Sequence, residues 1–133
     1  MSFSEIPGAP VVRGSKAPFE VLFDQVTREV SGDEGESYVE KARVGDIALA
    51  VGLHEGRREG EIADSDHVQF NLDSLDRSGA MKAIIEERHP EAAGKELRAI
   101  LQEYVEGGLQ VIADDVEEYG IFRYAEYLPA MDF

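Results

Sequence analysis

Cysteine is missing altogether from this chain of 133 residues. Its absence excludes a disulfide framework, a thiolate zinc site, an iron–sulfur cluster and any cysteine nucleophile. Long apolar runs are missing too, and no stretch nears the roughly 20 residues that a membrane helix needs. The opening residues Met1–Pro7 have neither the positive start nor the apolar core of a secretory signal, so a cytoplasmic location is the expectation. Basic residues are scarce: 13 Lys+Arg stand against 28 Asp+Glu, a net charge of −15. That balance speaks against direct contact with nucleic acid or anionic lipid, both of which are held by Lys and Arg on phosphate.

What is present is enough for one globular domain. The length falls in the ordinary single-domain range, and 43% hydrophobic residues is too many for a disordered chain despite the charge. The acids are unevenly spread. Residues 1–60 hold 7 basic and 11 acidic side chains, while residues 61–133 hold 6 and 17. Solubility, adaptation to high salt, and a binding face for a basic partner all account for such an excess.

Residues 1–17 read as an irregular lead-in, punctuated by Pro7, Gly8, Pro10 and Gly14, before a single α+β domain over 18–133. Phe19, Leu22, Phe23, Val26 and Val30 recur at helical spacing behind Pro18, with Ser31-Gly32 as the stop. Phe19, Val21 and Phe23 also alternate as in a strand, but the helical template matches more positions. Residues 31–37 are an acidic loop. Tyr38–Val44 and the apolar run Ile47–Leu53 read as strands around a turn at Gly45-Asp46, and Val68, Phe70 and Leu72 alternate as a third. A short helix follows from near Ser78 to before Pro90. Leu97, Ile100, Leu101, Tyr104 and Val105 mark another, broken by Gly107-Gly108. Leu109, Ile112, Ala113 and Val116 start the last, with Gly120 beyond its end. Residues 121–128 fit either strand or helix. The expected fold is therefore α+β: about three antiparallel strands against an N-terminal helix and two or three C-terminal helices.

Few residues suggest chemistry. Gly8 to Lys16 only superficially resembles a phosphate loop, because the glycines are wrongly spaced and Ser15 precedes Lys16. His54, Asp64, Asp66 and His67 have metal-ligand side chains but match no compact template; polar residues near strand ends is the simpler account. There is no G-x-S-x-G elbow and no histidine beside a nucleophile. No catalytic residue, metal or cofactor is assigned.

The run Asp114-Asp115-Val116-Glu117-Glu118 departs from stability logic. Asp114 and Glu118 are a like-charged i, i+4 pair, and all four acids lie where a helix dipole favours cations. Asp114, Asp115 and Glu118 are expected to point away from the core, with Glu117 nearer its margin. Glu96, Glu103 and Glu106 are expected on the outer face of the preceding helix. The aromatics Phe122, Tyr124, Tyr127 and Phe133 flank this region, either as core or as interface anchors. The sequence thus suggests a non-enzymatic protein-binding module whose partner surface comprises Glu96, Glu103, Glu106, Asp114, Asp115, Glu117 and Glu118. The partner would be a basic, nucleic-acid-binding protein, and the module an inhibitor that mimics the nucleic acid. The alternatives are a small enzyme or ligand-binding protein with a site near His54 and His67, and an oligomeric assembly component.

Overall fold

The computed structural model describes residues 11–31, 39–92 and 95–127. Most of the acidic loop expected at 31–37, residues 1–10 of the lead-in, and Leu128 and Phe133 lie outside the described residues. The chain runs β1 (Val11–Ser15), α1 (Lys16–Ser31), α2 (Lys41–Glu55), β2 (His67–Asn71), α3 (Ala80–Arg88), α4 (Lys95–Tyr119) and α5 (Tyr124–Tyr127). The architecture is α+β. Its antiparallel sheet has two strands rather than about three, with Val12 opposite Phe70 and Gly14 opposite Val68.

Two expected strands are helix. Tyr38–Val44 and Ile47–Leu53 fall largely within α2, and the turn expected at Gly45-Asp46 is a stretch of that helix. The physical reason is burial. From Ala42 to Leu53 nearly every side chain of α2 is enclosed, so the helix is apolar all round and its run carries no amphipathic period. Gly45 has a packing role in the helix, since a Cβ there would stand 2.7 Å from the Phe70 ring and 2.8 Å from Leu75 Cδ2. Gly56 ends α2 in the left-handed region (φ 65°). There its N–H and that of Arg57 donate back to the Leu53 and Gly52 carbonyls as a Schellman cap.

The second strand comes from the expected lead-in. Val11–Ser15 pairs with His67–Asn71 and alternates as a half-buried strand should, Val12 and Gly14 inward, Arg13 outward. β1 lies so close over α4 that a Cβ on Gly14 would stand 2.4 Å from Leu109 Cδ1. Gly107-Gly108 does not break a helix either. α4 runs straight through both glycines for 25 residues, about 37 Å at 1.5 Å per residue. A Cβ on Gly108 would sit 1.7 Å from the Ala48 carbonyl oxygen, and one on Gly52 would sit 2.1 Å from that of Tyr104. The glycines let α2 and α4 cross with their backbones in contact.

The core lies between α2, α4 and the inner face of the sheet. Phe70, Leu49, Leu101, Leu109 and Ile112 are fully enclosed there, each contributing on the order of 1.5–3 kcal/mol of transfer free energy. α3 occupies the expected stretch. Its N-terminus is capped from a distance by Asp76, whose carboxylate accepts the Met81 and Lys82 N–H groups at 3.1 and 2.8 Å. Asp76 holds a left-handed backbone (φ 48°), and its own N–H donates to buried Asp46 at 2.8 Å. Burial pushes the Asp46 carboxyl up, against the pull of that N–H and of Arg43 at 2.9 Å. Phe122 joins the core and stacks on Tyr127 at 5.3 Å, so the described tail aromatics serve mainly as packing. Burial and the neighbouring Glu29 carboxylate push the Tyr124 hydroxyl up to about 12. Among the described residues no helix is long and apolar enough to cross a membrane.

Candidate functional site

The seven acids proposed as one surface divide into three groups. Glu106 and Asp115 are buried, at 0% and 2% exposure, which corrects their expected outward positions. A carboxylate that loses its water must find donors elsewhere. Glu106 accepts the Ser15 N–H at 2.7 Å, the Ser15 hydroxyl at 2.6 Å, the Gln110 amide at 2.7 Å and the Ala63 N–H at 3.1 Å. It thereby ties the β1–α1 junction and the loop before β2 to α4. Asp115 accepts the Arg123 Nε and Nη2 groups at 2.9 and 2.7 Å, the Arg123 backbone N–H at 2.7 Å and the Tyr127 hydroxyl at 3.0 Å. Burial alone would raise its pKa. The Arg123 and Tyr127 hydrogen bonds outweigh burial and hold the carboxyl below its ordinary range.

The second group is exposed or half-buried and paired. Glu103 meets Arg58 at 3.1 Å, and Asp114 meets Arg57 at 3.0 Å. Arg57 also holds Glu59 at 2.9 Å, so one cation bridges two acids. These arginines precede α4 by some forty residues in the chain and arrive beside it only because α2 crosses α4. The third group, Glu96, Glu117 and Glu118, is exposed. Glu117 and Glu118 sit at the C-terminal end of α4, whose last turn carries no basic residue.

A concave surface lies next to that end. Where α1 begins, Ser15 spends its hydroxyl on Glu106 instead of capping the helix. The loop before β2 supplies the caps: the Lys16 N–H donates to the Asp66 carbonyl at 3.2 Å and the Ala17 N–H to Asp64 Oδ2 at 2.9 Å. Pro18 needs no acceptor. Two neighbouring clefts open on this junction. One, of about 540 Å³, is polar and bounded by Lys16, Glu20, Asp64 and Asp66. The other, of about 290 Å³, has an apolar floor of Pro18 and Val21 from α1 and Ala113 and Val116 from α4, between Asp64 and Glu117.

The structure separates the histidine constellation. His54 is exposed at the end of α2 and His67 is exposed at the start of β2. Asp64 and Asp66 belong to the loop that caps α1. Among the described residues no three His, Cys, Asp or Glu side chains gather in an arrangement that could hold a metal ion. Ser15 is fully buried, and its hydroxyl donates a hydrogen bond to the equally buried Glu106 carboxylate, so neither side chain is open to solvent.

Sequence reasoning missed the cleft. One signal was present: Val21 falls off the Phe19/Leu22/Phe23/Val26 stripe of α1 and is 40% exposed, a large apolar side chain without a place in the core. Asp64 carried no such signal, because its position depends on the contact between its loop and α1. No family model, no curated protein and no solved structure matches this chain.

Proposed function

We infer that this protein is a non-enzymatic, acidic binding module for a basic protein surface. In the most specific form of this reading the partner is a nucleic-acid-binding protein, and the module inhibits it by placing carboxylates where phosphates would lie. The observation that carries the reading is the C-terminal end of α4. Glu117 and Glu118 are exposed there, at the negative end of the helix dipole, in a last turn with no basic residue. Stability would favour Lys or Arg at those positions. Glu103, Asp114 and Asp115 each meet an arginine, so this fold does neutralise acids where it can. Glu96 is exposed at the opposite end of α4, in its first turn, where the dipole favours an acid; it adds negative charge to the same helix without departing from stability logic. Glu106 and Asp115, being buried, have no part in the surface.

Association steered by such a surface is fast and falls with ionic strength. The test is capture from a host extract on the immobilised protein at low and high salt, with duplex DNA as competitor. The expected result is a basic protein retained at low salt and released by either salt or DNA. A triple variant, Glu96→Gln with Glu117→Gln and Glu118→Gln, should lose it while keeping the wild-type circular dichroism. Undiminished capture by that variant overturns the reading.

A further inference from the structure

We propose that the cleft between α1 and α4 is a docking groove for an amphipathic, cationic segment of the partner: one large apolar side chain seats on its floor, and flanking Lys or Arg meet Asp64 and Glu117. This rests on the reading above and adds the chemistry of the occupant.

The floor combines residues from two helices. Pro18 and Val21 face Ala113 and Val116, with Ala17 beside them. Ala17 and Ala113 are small, and where they stand the surfaces of α1 and α4 leave a gap. Val21 remains 40% exposed at its edge. At about 290 Å³ the cleft is at the small end of ligand pockets and suits one or two side chains. Hydrogen bonds hold its polar wall in place. The Asp64 carboxylate is anchored by the Ala17 N–H at 2.9 Å, and the Asp64 N–H donates to Ser15 Oγ at 3.2 Å. Gln110 is anchored to Glu106 at 2.7 Å. A preformed groove loses little conformational entropy on binding.

Charge selects the occupant. The groove is bounded by Asp64 and Glu117, and among the described residues no Lys or Arg lines it. Lys16, in the neighbouring cleft, lies 3.6 Å from Glu20. A second copy of this chain would bring another net charge of −15 to the contact. Nucleic acid and anionic membranes are repelled for the same reason. An apolar anchor between cations satisfies floor and rim together, which is how an amphipathic helix is read by a groove.

The probe is a synthetic leucine–lysine amphipathic helix, compared with a peptide of equal charge whose leucines are alanines. Binding is followed by NMR shifts of the Val21, Ala113 and Val116 methyl groups and by titration. The leucine peptide is expected to shift those methyls. Its affinity should fall about tenfold on Leu→Ala in the peptide, on Ala113→Leu, which fills the groove, or on Val21→Ser. Val21→Ser changes a partly exposed side chain and keeps the test valid if Ala113→Leu misfolds. Glu117→Gln should weaken binding further at low salt and have little effect at high salt.

Binding that ignores the leucines and Val21→Ser, yet weakens with Glu117→Gln and Glu118→Gln, overturns the groove and leaves the acidic-surface reading standing. Binding indifferent to both sets of changes overturns both. Groove-dependent binding that ignores Glu117→Gln overturns the cationic part of the proposal. Concentration-dependent self-association abolished by Val21→Ser would instead assign the groove to a second copy.

Discussion

A carboxylate taken out of water without a cation beside it must be held by hydrogen-bond donors, and Glu106 has four, from Ser15, Ala63 and Gln110. Replacing one of its oxygens by an amide turns an acceptor into a donor that faces other donors. Glu106→Gln should therefore destabilise the fold by about 2 kcal/mol while changing side-chain volume little. Urea unfolding monitored by circular dichroism checks it, and a variant as stable as the parent would mean that the network is not holding β1 to α4. Asp115 is the contrasting case, a buried acid held by a cation, with Arg123 stacked over the Tyr119 ring at 3.6 Å from its centroid. The sequence singled out Asp115 as part of a like-charged run and placed Glu106 on the outer face of a preceding helix. It could not say that they turn inward. That depends on Ser15, 91 positions away from Glu106, and on the turn at Gly120 (φ 79°), which brings Arg123 back to Asp115.

Among the elements, the crossing of α2 and α4 bears most on the fold, and it is built from the residues that look least helical. Glycine costs about 1 kcal/mol relative to alanine inside an isolated helix. Here Gly108 faces the Ala48 carbonyl oxygen, and a methyl group placed 1.7 Å from a backbone atom cannot be relieved by turning a side chain. Gly108→Ala is expected to lower stability by about 2 kcal/mol or more, reversing the sign that helix propensity predicts. Gly60 meets nothing within 4 Å and serves as the control, where Gly60→Ala should stay within about 0.5 kcal/mol of the parent. Thermal unfolding of the two variants side by side decides the matter; equal stability would show that the helices have room to separate. α1, α3 and β2 were legible because each presents one buried face, so Phe19 and Leu22, Met81 and Ile85, and Val68 and Phe70 recur at the right period. α2 was not, because a helix enclosed on every side shows no period. β1 was not, because Val12 and Gly14 flank one outward arginine in a stretch too short and too glycine-rich to read as a strand alone.

For the whole molecule the governing quantity is charge. The described ion pairs are mostly partly exposed, and each contributes little. The net charge of −15 acts on all of them through self-repulsion. Added sodium chloride shortens the screening length from about 10 Å at 0.1 M to about 3 Å at 1 M and should raise the melting temperature by a few degrees. A fall would mean that pairs such as Arg57–Asp114 outweigh the repulsion they sit in.

Residue types alone set the acidity and the lack of thiol chemistry, and local periods of two and 3.6 in residue order set the α+β class. The tertiary structure decided which acids face solvent, which glycines are contact points and where a cleft opens. Those outcomes depend on pairs of residues far apart in the chain, and no local pattern records such a pair.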